Sequence, residues 1–270
     1  MKNKNELVVK ANTLVEACYR LSLVEQRVML YAITEARRTQ KGLNAEGFVT
    51  IRAVDYAAQF GIDPTTAYEQ ISEAAKTLFN RYVTFHDVRP ETGKPRRTEV
   101  RWISAASYID GDGTIQLRFA LDMVPFITRL ESEFTRYKLA QISNMTSGHA
   151  IRLYELLIQW GSVGKREIEI EWLKKTLMLD EKHSRIDNFK KFVIDVGVSQ
   201  INEHTDLTVT YTQGKTGRNV THLIFEFGQK PTPETNRKKP RSKCRECKQE
   251  TIDRTKAQVI RDLRPPTVST

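Results

Sequence analysis

The sequence is poor in cysteine and in long apolar segments. It has three cysteines in 270 residues, which is an odd number and too few for a disulfide framework, so a reducing compartment is favoured. No stretch approaches the roughly 18 apolar residues that a membrane-spanning helix needs. The first ten residues, MKNKNELVVK, contain no apolar signal-peptide core. We therefore expect a cytoplasmic protein that is neither a disulfide scaffold nor membrane-bound.

The positive charge is unevenly distributed. The chain has a formal net charge of +10, which favours a polyanionic partner without indicating a fold. Residues 229–270 hold +7 of this total, together with five of the nine prolines. This composition is typical of a disordered basic extension, so we expect the folded part to end near Gly228. Residues 143–228 contain 11 basic and 11 acidic residues, so DNA recognition there depends on where individual cations lie.

The two halves of the chain show the same order of predicted elements, at an offset of about 120 residues. Each half contains a helix, a short strand, two helices and a hairpin, which is the order of a winged helix. In this motif the second helix of the helix-turn-helix enters the major groove of DNA. The sequence therefore predicts an α+β fold with two tandem winged-helix domains, 1–142 and 143–228, and a disordered basic tail, 229–270. The first includes a connecting helix near its end.

The predicted recognition helix of the second domain covers residues 184–202. Its apolar stripe should pack on the domain core and consists of Phe189, Phe192, Val193, Val196 and Ile201. A polar face near the N-terminus carries Arg185, Asn188 and Lys191, with Lys190 on its flank. Arg and Asn can read guanine and adenine through paired hydrogen bonds, and a helix N-terminus favours phosphate. The alternative is the solvated face of an ordinary amphipathic helix.

A glycine-bracketed loop, QGKTGRN at 213–219, follows this helix between two predicted strands. Lys215, Arg218 and Asn219 lie where a wing would contact backbone phosphate. A basic turn after a basic helix N-terminus, in winged-helix order, is more specific than either feature alone. We therefore expect the second domain to be the main DNA reader.

The first domain offers weaker candidates for DNA binding. Thr65, Thr66 and Tyr68 stand near the start of its predicted recognition helix and carry no positive charge. The 89–97 loop adds basic residues, among them Arg96 and Arg97. We expect this domain to bind DNA less strongly or to serve mainly in dimerisation.

Catalytic and metal-binding motifs are incomplete. Gly214-Lys215-Thr216 resembles the end of a phosphate-binding P-loop, but the first glycine is absent and a strand follows instead of a helix. The five histidines never pair at metal-ligand spacing. Cys244 and Cys247 form half of a zinc site without visible partners, so two free thiols are the simpler interpretation. We expect no enzymatic activity and no cofactor.

Four stretches resemble one family. LVVKANTLVEACYRLSLVEQRVMLYAI (7–33) is similar to the N-terminal signature of iteron-binding plasmid replication initiators of the RepE/RepA type. SGHAIRLYELLIQW (147–160) resembles the helix that opens their second domain. FKKFVIDVGVSQIN (189–202) and LTVTYTQGKTGRNVTHLIFEF (207–227) resemble their second recognition helix and wing. The resemblance covers about residues 6–228.

The resemblance implies a non-catalytic protein that binds direct repeats at a plasmid origin as a monomer. It also implies a homodimer that represses its own promoter, and partners among the host replication initiator, helicase loader, helicase and chaperones. By position, DNA contacts would fall on Lys190, Lys191 and Arg218. Phe192 stands where the family often has a third basic residue, which implies one phosphate contact fewer.

Two other functions remain in competition with initiation. A winged-helix transcription regulator would have the same fold and no initiation activity. A DNA nuclease or relaxase would nick origin DNA in the presence of Mg²⁺, and we expect no such nicking.

Overall fold

The computed structural model describes residues 6–109, 111–128, 133–183, 185–217 and 219–231. The predicted basic tail, with Cys244 and Cys247, lies outside the described residues apart from its first three positions, and so does Arg218. The first compact unit of the chain ends at Lys230. The Lys230 ammonium donates a hydrogen bond to the Thr205 carbonyl (2.8 Å), so the unit extends two residues beyond Gly228.

The sequence predicts helix starts from local capping signals at Ser22, Asp63 and Ser147. Ser22 and Glu25 form a capping box, in which the Ser22 hydroxyl accepts from the Glu25 amide (3.2 Å) and the Glu25 carboxylate accepts from the Ser22 amide (2.6 Å). Asp63 caps the predicted recognition helix of the first domain, and Pro64 occupies the first position of that helix. The Ser147 hydroxyl accepts from the Ala150 amide (3.3 Å). These predicted helix starts are confirmed.

The first half contains five helices and seven strands among its described residues. The helices are α1 (Asn12–Glu16), α2 (Leu23–Thr39), α3 (Ala53–Phe60), α4 (Pro64–Leu78) and α5 (Val124–Thr128). The strands are β1 (Leu7–Ala11), β2 (Val49–Arg52), β3 (Tyr82–Val88), β4 (Pro95–Arg101), β5 (Ile103–Ile109), β6 (Thr114–Phe119) and β7 (Phe134–Lys138). Helices α2, α3 and α4 with the sheet of order β2-β6-β5 form the first winged helix.

The second half repeats this arrangement. Its helical segments are α6 (Gly148–Ile158), α7 (Ile170–Thr176), α8 (Ile186–Phe189), a π-helical turn (Lys190–Ile194) and α9 (Asp195–His204). Its strands are β8 (Lys165–Glu169), β9 (Leu207–Thr216) and β10 (Asn219–Gln229), in the sheet order β8-β10-β9. In both sheets the third strand of the motif lies between the other two. The predicted α+β fold of two winged helices is confirmed.

The sequence interpretation missed one long-range strand pair. β1 pairs antiparallel with β7, from Leu7 opposite Lys138 to Ala11 opposite Phe134. The region 124–142, predicted as a connecting helix, instead contains the short α5, the strand β7 and one 3-10 turn. The prediction was wrong because an isolated five-residue strand has no periodicity of its own and is stabilised by a partner far away in the chain.

The sequence pattern also predicts one continuous strand over residues 99–108, which the structure divides into the end of β4 and most of β5. The chain breaks at Trp102, whose side chain is buried with its ring edge-on to that of Tyr19 at a centroid distance of 5.0 Å. β4 pairs only with β3, whereas β5 pairs with β6. The β3–β4 hairpin is therefore a separate two-stranded sheet beside the first winged helix.

A buried polar cluster joins the two halves. The Lys10 ammonium lies 2.6 Å from a Glu155 carboxylate oxygen, and the Tyr137 hydroxyl donates to the same oxygen (2.6 Å). Arg152 lies 3.2 Å from the other oxygen, and its guanidinium stacks 3.8 Å from the centroid of the Tyr19 ring. Burial opposes ionisation of Glu155, but Lys10 and Arg152 outweigh it and hold the pKa of this carboxyl below its usual range.

Packing between the halves is also apolar. The buried apolar side chains form one continuous cluster that includes Val28 and Ile33 of α2 together with Leu153 and Leu157 of α6.

Every helix in the part of the chain that the structure describes is too short or too polar to cross a membrane.

Candidate nucleic-acid interface

The recognition helix of the second winged helix is interrupted by the π-helical turn. The Asp195 amide donates to the Lys190 carbonyl, five residues back instead of four. This wider turn changes which side chains face the core. Phe189, Val193 and Ile194 are buried, whereas the side chain of Phe192 is 54% exposed. The prediction that Phe192 packs in the core was wrong because it assumed an uninterrupted period of 3.6 residues.

Three sets of contacts position this helix on the domain. A Cβ at Gly197 would lie 2.9 Å from a methyl carbon of Leu153, so the absence of a side chain allows α9 to approach α6 closely. The Asn202 amide group donates to the Val209 carbonyl (2.9 Å) and accepts from the Val209 amide (2.6 Å). The side-chain oxygen Oε1 of Gln200 accepts a hydrogen bond from the backbone amide of Thr146 (2.9 Å). The helix is thus fixed relative to both α6 and the wing.

The outer side of this helix carries cations. Arg185 is the exposed N-cap residue and makes no side-chain cap, Lys191 is exposed, and Lys190 is half-buried. Among the residues that the structure describes, none of these three forms an ion pair. Asn188, the fourth predicted residue, is half-buried in the first turn. All four therefore lie near the start of the helix, as a phosphate- and base-contacting surface requires.

The wing is a longer hairpin than the sequence suggests. β9 and β10 remain paired as far as Thr216 opposite Asn219, and Gly217 has a φ of +63° in the turn. The predicted loop 213–219 is therefore mostly strand, because a two-residue turn can close the hairpin when glycine supplies a positive φ. Lys215 and Asn219 are exposed close to the tip.

Tyr211 connects the wing to the recognition helix. Its hydroxyl donates to an Asp195 carboxylate oxygen (2.5 Å). Burial and the adjacent Asp195 carboxylate both raise the pKa of Tyr211. This bond neutralises no charge, so we expect the exposed Asp195 carboxylate to repel phosphate beyond the first turns of the helix.

The first winged helix presents a different surface. Thr65 and Thr66 are exposed in the first turn of α4, and their backbone amides donate to the Asp63 carboxylate (2.8 and 3.4 Å). Tyr68 is half-buried against the core. Because Asp63 already binds these amides and is itself negative, the N-terminus of α4 is a poor site for phosphate.

Arg96 and Arg97 lie in strand β4 and not in the loop to which the sequence interpretation assigned them. Arg96 pairs with Asp87 (Nε–Oδ1 2.9 Å) and Arg97 pairs with Glu99. The hydrogen bond from Arg96 lowers the pKa of Asp87. By sheet order, the hairpin that corresponds to the basic wing is β5–β6, whose turn sequence DGDG is acidic.

No three His, Cys, Asp or Glu side chains lie close enough together to hold a metal ion within the described ranges.

Sequence reasoning missed the exposed Phe192 and the cluster around Glu155. The π-helical turn has no signal in a single sequence, whereas Arg152 and Glu155, spaced three apart in a strongly apolar helix, could have indicated a buried ion pair.

Two family models match the chain. One, described as "Initiator Replication protein, WH1", matches residues 7–158, and the other, "Initiator Rep protein, WH2", matches residues 169–227. The chain belongs to the initiator replication protein family. The first model spans the first winged helix and continues through α6, and the second spans the rest of the second winged helix from Glu169, so that together they account for most of the compact unit.

Two individual relatives and one solved structure are similar to the chain over most of its length. An uncharacterized 27.6 kDa protein of Escherichia coli is 25% identical over 240 residues, covering 86% of this chain and 98% of the relative. The PI protein of Escherichia coli is 26% identical over 255 residues, covering 83% of each. A crystal structure of Pi initiator protein in complex with iteron DNA matches with a TM-score of 0.68 at 21% identity, over 85% of this chain and all of that one. This structural match supports the tandem winged-helix fold.

Proposed function

We propose that this chain initiates plasmid replication by binding repeated double-stranded DNA sites at an origin. The observation that carries the proposal is the pair of exposed cations Arg185 and Lys191, which form no ion pair with a described residue, on the recognition helix of an initiator-family winged helix. The Pi initiator protein, which has the same fold, was crystallised with iteron DNA, and we extend that class of DNA to this chain.

In this proposal the second winged helix reads the site. Arg185 and Asn188 contact base edges in the major groove, where Arg pairs with guanine and Asn with adenine. Lys190, Lys191, Lys215, Arg218 and Asn219 contact the backbone of the same site and set its register. The first winged helix contributes through Thr65, Thr66 and Tyr68, with fewer charged contacts, and the basic segment 229–270 adds nonspecific affinity.

The oligomeric state would then determine which DNA is bound. Monomers occupy direct repeats at the origin, and homodimers repress the gene's own promoter through an inverted form of the repeat. The origin complex recruits the host replication initiator and helicase. These steps rest on the family resemblance, and they need no catalytic group from this chain.

Protection of DNA from cleavage tests the proposal directly. The full-length protein, incubated with DNA flanking its gene, should protect several equal intervals repeated about every two helical turns, since that spacing places successive monomers on the same side of the duplex. A single protected palindrome, or none, would contradict an initiator that binds repeats. Nicking of the same DNA with Mg²⁺ would favour an enzyme instead.

Replication itself separates an initiator from a regulator. A DNA circle that carries only this gene, its flanking DNA and a resistance marker should be maintained in a permissive bacterial host. The matched control carries a stop codon at Leu30 and should be lost. A regulator without initiation activity would bind and repress, yet neither circle would be maintained.

A further inference from the structure

Phe192 is an exposed aromatic side chain in the middle of the proposed DNA-reading helix. Its side chain is 54% exposed, while the neighbouring apolar residues Val193 and Ile194 are 1% and 0% exposed. An uninterrupted helix would turn Phe192 towards the apolar stripe, and the π-helical turn at Lys190–Ile194 turns it outward. An exposed phenyl ring gives up the free energy of burial, so it would gain stability from an apolar contact with a bound ligand.

The surroundings of the ring favour DNA over a protein partner. The Lys191 ammonium lies 5.3 Å from the centroid of the Phe192 ring, so a cation able to contact phosphate adjoins the ring. Lys190 precedes it in the same turn, and Arg185 lies at the start of the helix. An exposed apolar ring next to Lys190 and Lys191 suits a ligand that combines phosphates with apolar atoms, as the major groove of DNA does.

The apolar atom that the major groove offers to a side chain is the C5-methyl group of thymine. We infer that Phe192 is a specificity-determining residue that packs against a thymine methyl group in the bound site. The inference rests on the proposed function, because it requires this helix to enter the groove. It assigns to Phe192 a base contact where the family resemblance implies only the loss of a phosphate contact.

Replacing thymine by deoxyuridine removes this methyl group and leaves the base-pairing edge unchanged. Sites are first selected by the full-length protein from a random duplex library, and each thymine is then replaced singly by deoxyuridine. The wild-type protein should lose about fourfold in affinity at one or two positions, which corresponds to one buried methyl group. Phe192→Ala should bind the selected site less tightly and should show no loss at those same positions.

A matched control is Leu121→Ala, because Leu121 is 58% exposed and lies outside the proposed interface. It should retain the full deoxyuridine penalty of the wild-type protein. Penalties that persist unchanged in Phe192→Ala, or an absence of penalties in the wild-type protein, would overturn the inference while leaving specific binding intact. An equal loss of affinity by Phe192→Ala on selected and random DNA would also overturn it. Failure of the library to yield any preferred site would overturn the proposed function itself.

Discussion

The two winged helices share one sheet order and differ in the residues at the positions that we propose face DNA. In the first, the start of α4 is capped by Asp63 beside the neutral Thr65 and Thr66. In the second, Arg185 is the N-cap residue of α8, and Lys190 and Lys191 follow within two turns. The corresponding wings differ in the same sense, since the turn sequence DGDG is acidic and the Lys215 hairpin is basic.

From this difference we infer that the fold supplies the same geometry twice and that local charge decides how each domain uses it. The net charge does not reveal the basic surface of the second winged helix, because residues 143–228 are neutral overall. In the first winged helix and its neighbouring hairpin, Arg96 and Arg97 are paired with carboxylates. In the second, the cations of the recognition helix make no ion pair with any described residue. Unpaired cations can approach phosphate without first breaking an existing bond.

The largest expected effect concerns the cluster that both halves share. Glu155→Gln leaves the Lys10 ammonium buried without its counter-ion, and breaking such a pair costs about 3–5 kcal/mol of unfolding free energy. Denaturant titration measures this loss. Glu226→Gln is the control, because Glu226 pairs with Lys165 at the surface and should cost at most about 1 kcal/mol. Equal costs would show that the cluster does not couple the halves.

The pH dependence of this effect has a defined sign. The pKa of Glu155 is lowered on folding, so its contribution is present above the unfolded pKa of about 4.3 and is lost as the pH falls through the lower folded value. The stability difference between the wild-type protein and Glu155→Gln should therefore be largest near neutral pH and should shrink in acid. A difference that grows in acid would contradict the assignment.

The next effect concerns base reading by the second winged helix. Arg185→Ala or Asn188→Ala should cost about 1–3 kcal/mol of binding free energy on the preferred site and should relax the preference at one base pair. Titrations against the site and its single-base variants measure both quantities. Thr66→Ala in the first winged helix is the matched comparison and should change the preference little. Equal losses on every sequence would exclude base reading by Arg185 and Asn188.

A smaller effect concerns phosphate contacts. Lys191→Ala should lower the slope of log affinity against log salt concentration by about one unit, as one lost phosphate contact predicts. Lys76→Ala provides the control, because Lys76 lies at the far end of α4 beside Glu73. If both variants change the slope equally, the charge of the recognition helix of the second domain has no special role.

The smallest effect separates the helix cap at Asp63 from the negative charge of this residue. Asp63→Ala should cost about 1 kcal/mol of unfolding free energy through loss of the helix cap. Asp63→Asn keeps a capping oxygen and should restore most of this stability. Thermal denaturation distinguishes the two variants, and an equal loss in both would mean that the negative charge matters more than the cap.

The sequence is informative where the physical signal is local. Ser22, Glu25 and Asp63 mark their helix starts because capping involves residues two or three positions apart. Alternating apolar residues such as Leu223, Phe225 and Phe227 mark a strand for the same reason. These signals are sufficient to predict the order of a winged helix twice.

The remaining features depend on contacts between distant residues. β1 is a strand because Leu7 to Ala11 pair with residues more than 120 positions away. From the sequence alone, Arg96 looks free to contact DNA. The register of the β3–β4 hairpin is what brings it opposite Asp87. Phe192 looks like a core residue until the π-helical turn rotates it outward. None of these outcomes has a periodic signature in one sequence.

The central claim is that the second winged helix determines which DNA this protein binds. The most direct test is the ratio of affinities for the preferred site and for random DNA at physiological salt. We expect a ratio on the order of 10³ or more for the wild-type protein. It should fall at least tenfold in Arg185→Ala/Asn188→Ala and remain nearly unchanged in Thr65→Ala/Thr66→Ala. The reverse pattern, with the ratio lost only in the threonine variant, would contradict the claim.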